Sequence, residues 1–516
     1  MTEVKYVIGM DCGTTNIKAI ILNSEGKMIA EASRSSKFII SKDNYHEQDA
    51  NEWWFNACSI FKDLKLQVPK EVFDNIVGIC ISSHTVSMLP LDEEGKPLRN
   101  AITYQDGRSF KEMEEILDKV GHGRYCSIVG SLPSVAFLPS KLLWYKRYEG
   151  ELFNKTSSIV QANSYINYRL TGVLSQDIDQ ATRTQCLDIN KLAWSDEIGQ
   201  ALEVDLDRIL PKIYKVDDII GEVTKDASKE TGLKEGIIVL AGSSDAMAAM
   251  YATGINKLGE AGESSGTTSL VFVTSKTRNP DNIVIATRPV NMGEVEWIYD
   301  APIQTSGAAI KWYIDTFAHE ENETAELLGK DIYTFLNEIA LGSNPGSNGL
   351  IFFPYLLGER APLWNSHASG MFIGLSTNTK RCDLIRSVLE GTAFALRHVI
   401  ETVKQDGVEI KSLRICGGGA KSWAWNKIKA SILGIPVLVL DEGSGDVPLG
   451  DALIIAHKVG FFDNLEEAVS KIVKVKEVVE PDMEWKKMYD KIYPFYISMY
   501  NNLDRDLYAF KNVMVK

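Results

Sequence analysis

Short apolar runs alternate with helical patterns along most of the chain. Residues 4–10 and 19–22 are mostly apolar stretches of strand length, and residues 76–81 read the same way. Residues 236–241 form another such run and pass straight into small residues. Leu384, Val388, Ala395 and Val399 recur at helical spacing, which predicts a helix over residues 383–404 with Asp383 as its cap and Gly407 beyond its end. Residues 413–415 and 435–440 predict two further strands, with a helix through Trp425, Ile428 and Leu433 between them. Strands alternating with helices predict an α/β architecture. There is no low-complexity tract, Pro-rich linker or like-charge block, so any domains are joined compactly.

One pattern occurs twice. Residues 8–22 read I-G-M-D-C-G-T-T-N-I-K-A-I-I-L, and residues 261–273 read A-G-E-S-S-G-T-T-S-L-V-F-V. Each sets Gly-Thr-Thr ahead of an apolar run, as a hairpin turn would, and the two glycines lie 266 − 13 = 253 residues apart in a chain of 516. As a lone tripeptide Gly-Thr-Thr is a common turn. At half-chain spacing it predicts two copies of one fold, with domains over residues 1–253 and 254–516.

Composition narrows the classes. A length of 516 residues predicts more than one domain, and 45% hydrophobic with 24% charged residues excludes a disordered or fibrous chain. The net charge of 55 − 69 = −14 argues against duplex nucleic acid and anionic membranes as partners, while backbone N–H groups can still bind small anions locally. The seven cysteines are odd in number and scattered, which excludes a complete disulfide framework and shows no zinc cluster. The acid at position 11 comes too early for a signal-peptide core, and there is no run of about 18 apolar residues to span a membrane. The expected location is the cytoplasm.

Three segments could carry chemistry. In Asp11-Cys12-Gly13-Thr14-Thr15-Asn16-Ile17-Lys18, glycine admits a phosphate, the hydroxyls and N–H groups can bind its oxygens, and Lys18 adds charge. A carboxylate beside a phosphate is favourable only with a cation such as Mg²⁺ between them; otherwise Asp11 is a turn cap. The second copy carries Ser264 in place of Asp11, so only the first loop is equipped for metal. Asp245, at the start of an apolar helix after Gly242-Ser243-Ser244, can take a proton from a hydroxyl, or simply cap the helix. Gly417-Gly418-Gly419-Ala420 between strand and helix implies close approach of something flat or anionic. His84, at a strand end, reads as a structural histidine or a substrate contact.

Together these segments resemble the FGGY carbohydrate kinases, of the sugar kinase/Hsp70/actin superfamily, from about residue 5 to residue 460. The matching series includes both Gly-Thr-Thr loops, Tyr104-Gln105-Asp106-Gly107-Arg108, Arg169-Leu170-Thr171-Gly172, Gly242 to Asp245 and Gly307 to Trp312. It continues with Pro354 to Pro362 and Gly417 to Ser422. Gly370-Met371-Phe372-Ile373-Gly374-Leu375, then seven residues, then Asp383-Leu384 and Ser387 to Gly391, is similar to the family's C-terminal signature.

The resemblance implies two RNase H-like domains of the actin-like ATPase superfamily around a central cleft, with the sugar mainly on the N-terminal side and ATP mainly on the C-terminal side. It implies Asp245 as the base and Asp11 as the Mg²⁺-associated carboxylate. Gly13, Thr14, Thr15, Lys18, Gly266, Thr267 and Thr268 would surround the phosphates, with Gly307, Lys311, Gly418, Gly419 and Ala420 along the nucleotide. His84, Thr85, Gln105 and Asp106 would join Asp245 on the sugar side. The expected partners are ATP and a small sugar, without nucleic acid or membrane; a homodimer is one assembly open to such a chain.

Xylulose and gluconate kinases usually carry Gln-Met-His where this chain has His84-Thr85-Val86, and glycerol kinases carry Gln-Arg-Glu; this chain has neither. Ala361-Pro362-Leu363-Trp364-Asn365 and Gly307 to Trp312 look more like the xylulose and gluconate branch, and a pentulose such as xylulose is the leading expectation. The alternatives are a gluconate or polyol kinase, an actin- or Hsp70-like ATP-driven switch, and a sugar-binding regulator that has lost catalysis.

Overall fold

The computed structural model describes residues 4–42 and 44–514. The first sheet starts with β1 (Tyr6–Cys12), β2 (Asn16–Asn23) and β3 (Met28–Ser35), an antiparallel meander. Helix α1 (Ala50–Gln67) follows, its first turn capped by the Asp49 carboxylate, which accepts from the Asn51 N–H. Strand β4 (Ile76–Ser83) then runs parallel to β1. The six-residue helix α2 (Ile178–Arg183) precedes the edge strand β5 (Ile219–Glu222) and β6 (Ile238–Leu240). A two-residue strand β7 (Ser243–Ser244) leads directly into α3 (Asp245–Thr253). The sheet order is β5-β6-β4-β1-β2-β3, with β7 also paired to β4. Val7, Ile8, Met10 and Cys12 are all fully buried, which explains why β1 shows no polar alternation.

The second sheet repeats the plan. Strands β8 (Glu260–Ser265) and β9 (Ser269–Ser275) form a hairpin, extended through β10 (Ala286–Met292) and β11 (Val295–Ile303). After α4 (Gly307–Phe317) and α5 (Arg381–Lys404), strand β12 (Ser412–Cys416) pairs parallel to β8. Helix α6 (Trp423–Leu433) and strand β13 (Val437–Leu440) complete the parallel part. With the later edge strand β14 (Val475–Val479) the order is β10-β11-β9-β8-β12-β13-β14. Both sheets thus join an antiparallel meander to two parallel strands and an antiparallel edge, and both Gly-Thr-Thr tripeptides occupy the first hairpin turn. The repeat in the sequence is a repeat of topology.

Before β14 the chain forms α7 (Val447–Lys458), and after it the long α8 (Met483–Met514). Helix α7 lies against β1 and β4: a Cβ on Gly9 would fall 2.0 Å from the Pro448 carbonyl oxygen, so that strand position admits only hydrogen. By compactness the chain divides into one unit of residues up to Ala252 with Gly445–Ile472, and another of Thr253–Ser444 with the residues from Val473 onward. A single boundary at 253 does not include this return. Helix α5 starts two residues before the sequence pattern indicates: Lys380 is its N-cap, and Asp383 sits in the first turn, where its carboxylate accepts from the Lys380 N–H at 2.9 Å. Among the described residues no helix is long and apolar enough to cross a membrane.

Candidate active site

Strands β1, β4 and β7 run parallel and end together. Asp11 is in register with Ser82, and Ser82 with Ser243, so Asp11 and the start of α3 at Asp245 lie at the carboxyl ends of the two strands that flank β4. Open α/β sheets bind ligands at such ends. Burial, then the negative charges of Asp245 and Asp446, push the Asp11 carboxyl well above its usual range, against the pull of Lys18. One oxygen of Asp11, Oδ1, is buried without a hydrogen-bond partner. Asp245 accepts the Ala246 N–H at 2.7 Å.

Lys18 is opposite Asp11 on β2. Its ammonium lies 2.6 Å from Asp446 and 3.2 Å from Glu31, so its charge is shared with two carboxylates instead of standing open to an anion. Gly13, Thr14 and Thr15 form the β1–β2 turn, anchored where the Thr14 carbonyl accepts from Gln48 and the Thr15 carbonyl from the Ser36 N–H.

His84 follows β4 and is 1% exposed. Burial lowers its pKa to about 4, so the imidazole is neutral at physiological pH. Nδ1 lies 3.0 Å from the Cys12 carbonyl oxygen, which requires the proton on Nδ1 and leaves Nε2, buried without a partner, as an acceptor. The Thr85 hydroxyl donates to Gln180 at 2.6 Å. Gln180, on α2, also donates toward the Ser83 hydroxyl at 3.1 Å and the Ser83 and His84 carbonyls. On the same helix Asp179 accepts the Ser244 N–H at 3.0 Å and the Ser244 hydroxyl, and pairs with Arg183 at 2.9 Å. One short helix therefore braces both the His84–Thr85 segment and the residue preceding Asp245.

Gln105 is exposed beside the Tyr104 hydroxyl, 3.3 Å away. Asp106 is 1% exposed, and both its oxygens are used: Oδ1 by the Arg108 backbone and Nε, Oδ2 by the His46 N–H and Arg108 Nη2. Its geometry is that of a strut holding the Tyr104–Gln105 turn, not of a group presented to a ligand.

In the second unit three segments meet at the end of β8. The turn Gly266-Thr267-Thr268 receives the first N–H groups of α4: Gly307 donates to the Gly266 carbonyl at 3.0 Å and Ala308 to the Thr267 carbonyl at 3.0 Å. The glycine turn crosses Ser265: Gly417 has φ +86°, and a Cβ on Gly419 would lie 2.3 Å from the Ser265 hydroxyl. Gly418 is exposed, and the buried Ala420 offers its carbonyl to Asn426 at 2.7 Å. Lys311 lies on an exposed face of α4, paired with Asp315 at 2.9 Å. A strand-end turn, a helix N-terminus and a glycine turn thus meet at one place, the three segments expected along the nucleotide.

Three residues here lie outside the sequence expectations: Asp446, Asp179 and Gln180. Asp446 follows the turn Gly443-Ser444-Gly445 and opens α7, a signal that was legible. Asp179 and Gln180 sit on a helix too short to show a period. Among the described residues no group of three or more His, Cys, Asp or Glu side chains is arranged to hold a metal by itself.

Residues 6–252 match the N-terminal domain, and residues 263–459 the C-terminal domain, of the FGGY family of carbohydrate kinases. A xylulose kinase of Bacillus subtilis is 28% identical over 500 residues, covering 97% of each chain. A xylulose kinase of Staphylococcus epidermidis is 30% identical over 520 residues, covering 98% of this chain and 99% of the relative. The crystal structure of a xylulose kinase from Rhodospirillum rubrum superposes with a TM-score of 0.89 at 26% identity, covering 98% of this chain and 100% of that one.

Proposed function

Because the chain belongs to the FGGY family of carbohydrate kinases, we propose that it moves the γ-phosphoryl group of ATP to a hydroxyl of xylulose or a closely related open-chain sugar. The observation that carries the mechanism is that Asp11, on β1, and Asp245, just past β7, lie at the carboxyl ends of the two strands that flank β4, close enough for the Asp245 charge to raise the Asp11 pKa. The named relatives support xylulose as acceptor.

Phosphoryl transfer demands alignment and charge neutralisation more than covalent chemistry. Asp245, at the positive end of α3, collects the proton of the attacking hydroxyl through a carboxylate that the Ala246 N–H orients. Neutral His84 offers Nε2 as an acceptor to a second sugar hydroxyl, with the Gln180–Thr85 bond fixing the segment that carries it. Gln105 lines the same side, held by the Asp106–Arg108 strut. The second Gly-Thr-Thr turn, Gly307 and the glycine turn bind and orient the nucleotide. Asp11 fits a divalent cation: a half-buried carboxylate with one buried, unpartnered oxygen and two acidic neighbours is relieved by positive charge. Asp11 would hold Mg²⁺ there, and the ion would supply neutralisation of the phosphate charge.

The test is turnover of a panel of pentuloses, aldonates and polyols with ATP–Mg²⁺. Xylulose should give the highest kcat/KM, and Asp245→Asn should lower it by about 10²–10⁴-fold with Tm unchanged. A higher kcat/KM on gluconate or a polyol would reassign the substrate. Near-normal turnover by Asp245→Asn would remove it as the base.

A further inference from the structure

Beneath the second Gly-Thr-Thr turn lies a buried ion pair that the phosphoryl-transfer chemistry does not use. Glu263 on β8 and Lys429 on α6 have side chains 2% and 1% exposed. The Lys429 ammonium donates to both Glu263 oxygens, at 2.8 and 2.9 Å, and to the Ser265 hydroxyl at 3.3 Å. It also lies 3.9 Å from the centre of the Trp425 ring. All its donors and its ring contact are thus accounted for inside the protein, so it is not a ligand waiting for phosphate.

What the pair touches is more informative than the pair itself. Glu263 accepts from the Ser269 hydroxyl at 2.8 Å, and Ser269 is the first residue after the turn. Ser269 shares a 2.8 Å hydrogen bond with Ser306, the residue before Gly307. Ser265, the last residue before the turn, is the residue over which Gly417 and Gly419 pass with no room for a Cβ. A single buried charge pair therefore reaches both shoulders of the Gly266–Thr268 turn, the start of α4 and, through Ser265, the glycine turn. Burying two charges costs more than an apolar pair of the same volume would, so stability alone is a poor reason for it.

We infer that Glu263 and Lys429 are positioning residues for the nucleotide: they set the relative places of the three backbone segments that cradle it. This rests on the assignment of those segments to ATP. Neither side chain is a catalytic residue, since neither faces the cradle. Their effect falls on nucleotide binding and leaves the acceptor side and the base alone.

The test is the neutral double variant Glu263→Gln/Lys429→Met, which keeps the volume and leaves no lone buried charge. Lys429→Met alone would strand Glu263 and could unfold the protein. We expect the double variant to keep its Tm within a few degrees while its KM for ATP rises about 10-fold or more, with the sugar KM and kcat at saturating ATP within about threefold. Ser265→Ala, which leaves the ion pair intact, should raise the ATP KM by a smaller factor at unchanged Tm. Equilibrium titration of wild-type protein with ATP is the control. If wild type binds no ATP, the nucleotide assignment fails. If wild type binds and both variants bind equally well, the assignment stands and the positioning role is overturned. A double variant that does not fold leaves Ser265→Ala to decide, an unaltered ATP KM there being refutation.

Discussion

Gly307→Ala adds one methyl group where the start of α4 meets the second Gly-Thr-Thr turn. The new Cβ would lie 2.5 Å from the Gly266 carbonyl oxygen. An ordinary carbon–oxygen contact is about 3.3 Å, so the overlap is about 0.8 Å. The oxygen is backbone and the Cβ is fixed by its own backbone, and the two residues already share the Gly307 N–H to Gly266 carbonyl bond, so no flexible side chain can yield. Two effects on stability oppose each other. Alanine is better than glycine in a helix by about 0.5–1 kcal/mol, and overpacking costs about 1–3 kcal/mol. The net loss is at most about 2.5 kcal/mol, several degrees in Tm for units of this size. Function has no such compensation. A displacement approaching 1 Å of groups that align a transferring phosphoryl group can cost about 10²-fold. The assay is steady-state kinetics with ATP varied at saturating sugar, beside a thermal melt. We expect kcat/KM for ATP to fall about 10²-fold while Tm moves only slightly. A variant with kcat/KM for ATP within about threefold of wild type would refute the placement of Gly307 beside the nucleotide.

Glu359 predicts a pH dependence of stability. Its carboxylate accepts the Gln304 and Arg360 N–H groups at 2.6 and 2.8 Å, yet Oε2 is buried without a partner, and burial raises its pKa from 4.5 to about 7. An acid with a raised folded-state pKa stabilises the fold below its unfolded pKa and loses that contribution as pH rises through the folded one, here between about 4.5 and 7, worth at most about 3 kcal/mol. Glu359→Gln should flatten the fall of Tm between pH 5 and pH 8; an unchanged slope would contradict the burial argument. Asp106→Ala should cost about 3–5 kcal/mol, because among the described residues the buried Arg108 guanidinium then keeps only Glu47 as a carboxylate partner, and should also raise the sugar KM. Denaturant titration and sugar-dependent kinetics measure the two effects, and loss of stability with an unchanged sugar KM would confine Asp106 to the fold.

The fold was legible where the chain repeats itself. Two Gly-Thr-Thr turns at half-chain spacing announced two related sheets, and short apolar runs announced strands buried on both faces. The supports of the site were less visible because their partners are remote in sequence. Lys18 meets Asp446, 428 residues away, which turns an expected phosphate ligand into a member of a charge network. Asp106 matched the family pattern by type, but only coordinates reveal that Arg108 and the His46 N–H occupy it. Lys429 sits in a helix whose apolar spacing gives no hint of a buried ammonium, and Glu263 stands 166 residues before it. Local pattern marks the backbone turns; it is silent about what holds them still.

Helix α7 also sets an order of events during synthesis. It covers Gly9 of β1 and Gly78 of β4, and its Asp451 accepts from the Ser82 hydroxyl at 2.6 Å. Yet the 192 residues from 253 to 444 are translated between the end of the first stretch of that unit and the return of the chain to it. At about 5–20 residues per second the ribosome needs about 10–40 s to make them. For that interval the newborn first sheet stands with its β1–β4 face uncovered, a longer wait than most small domains need to fold. A gene truncated at the midpoint would make that wait permanent, because the first half alone lacks the helix that covers its sheet.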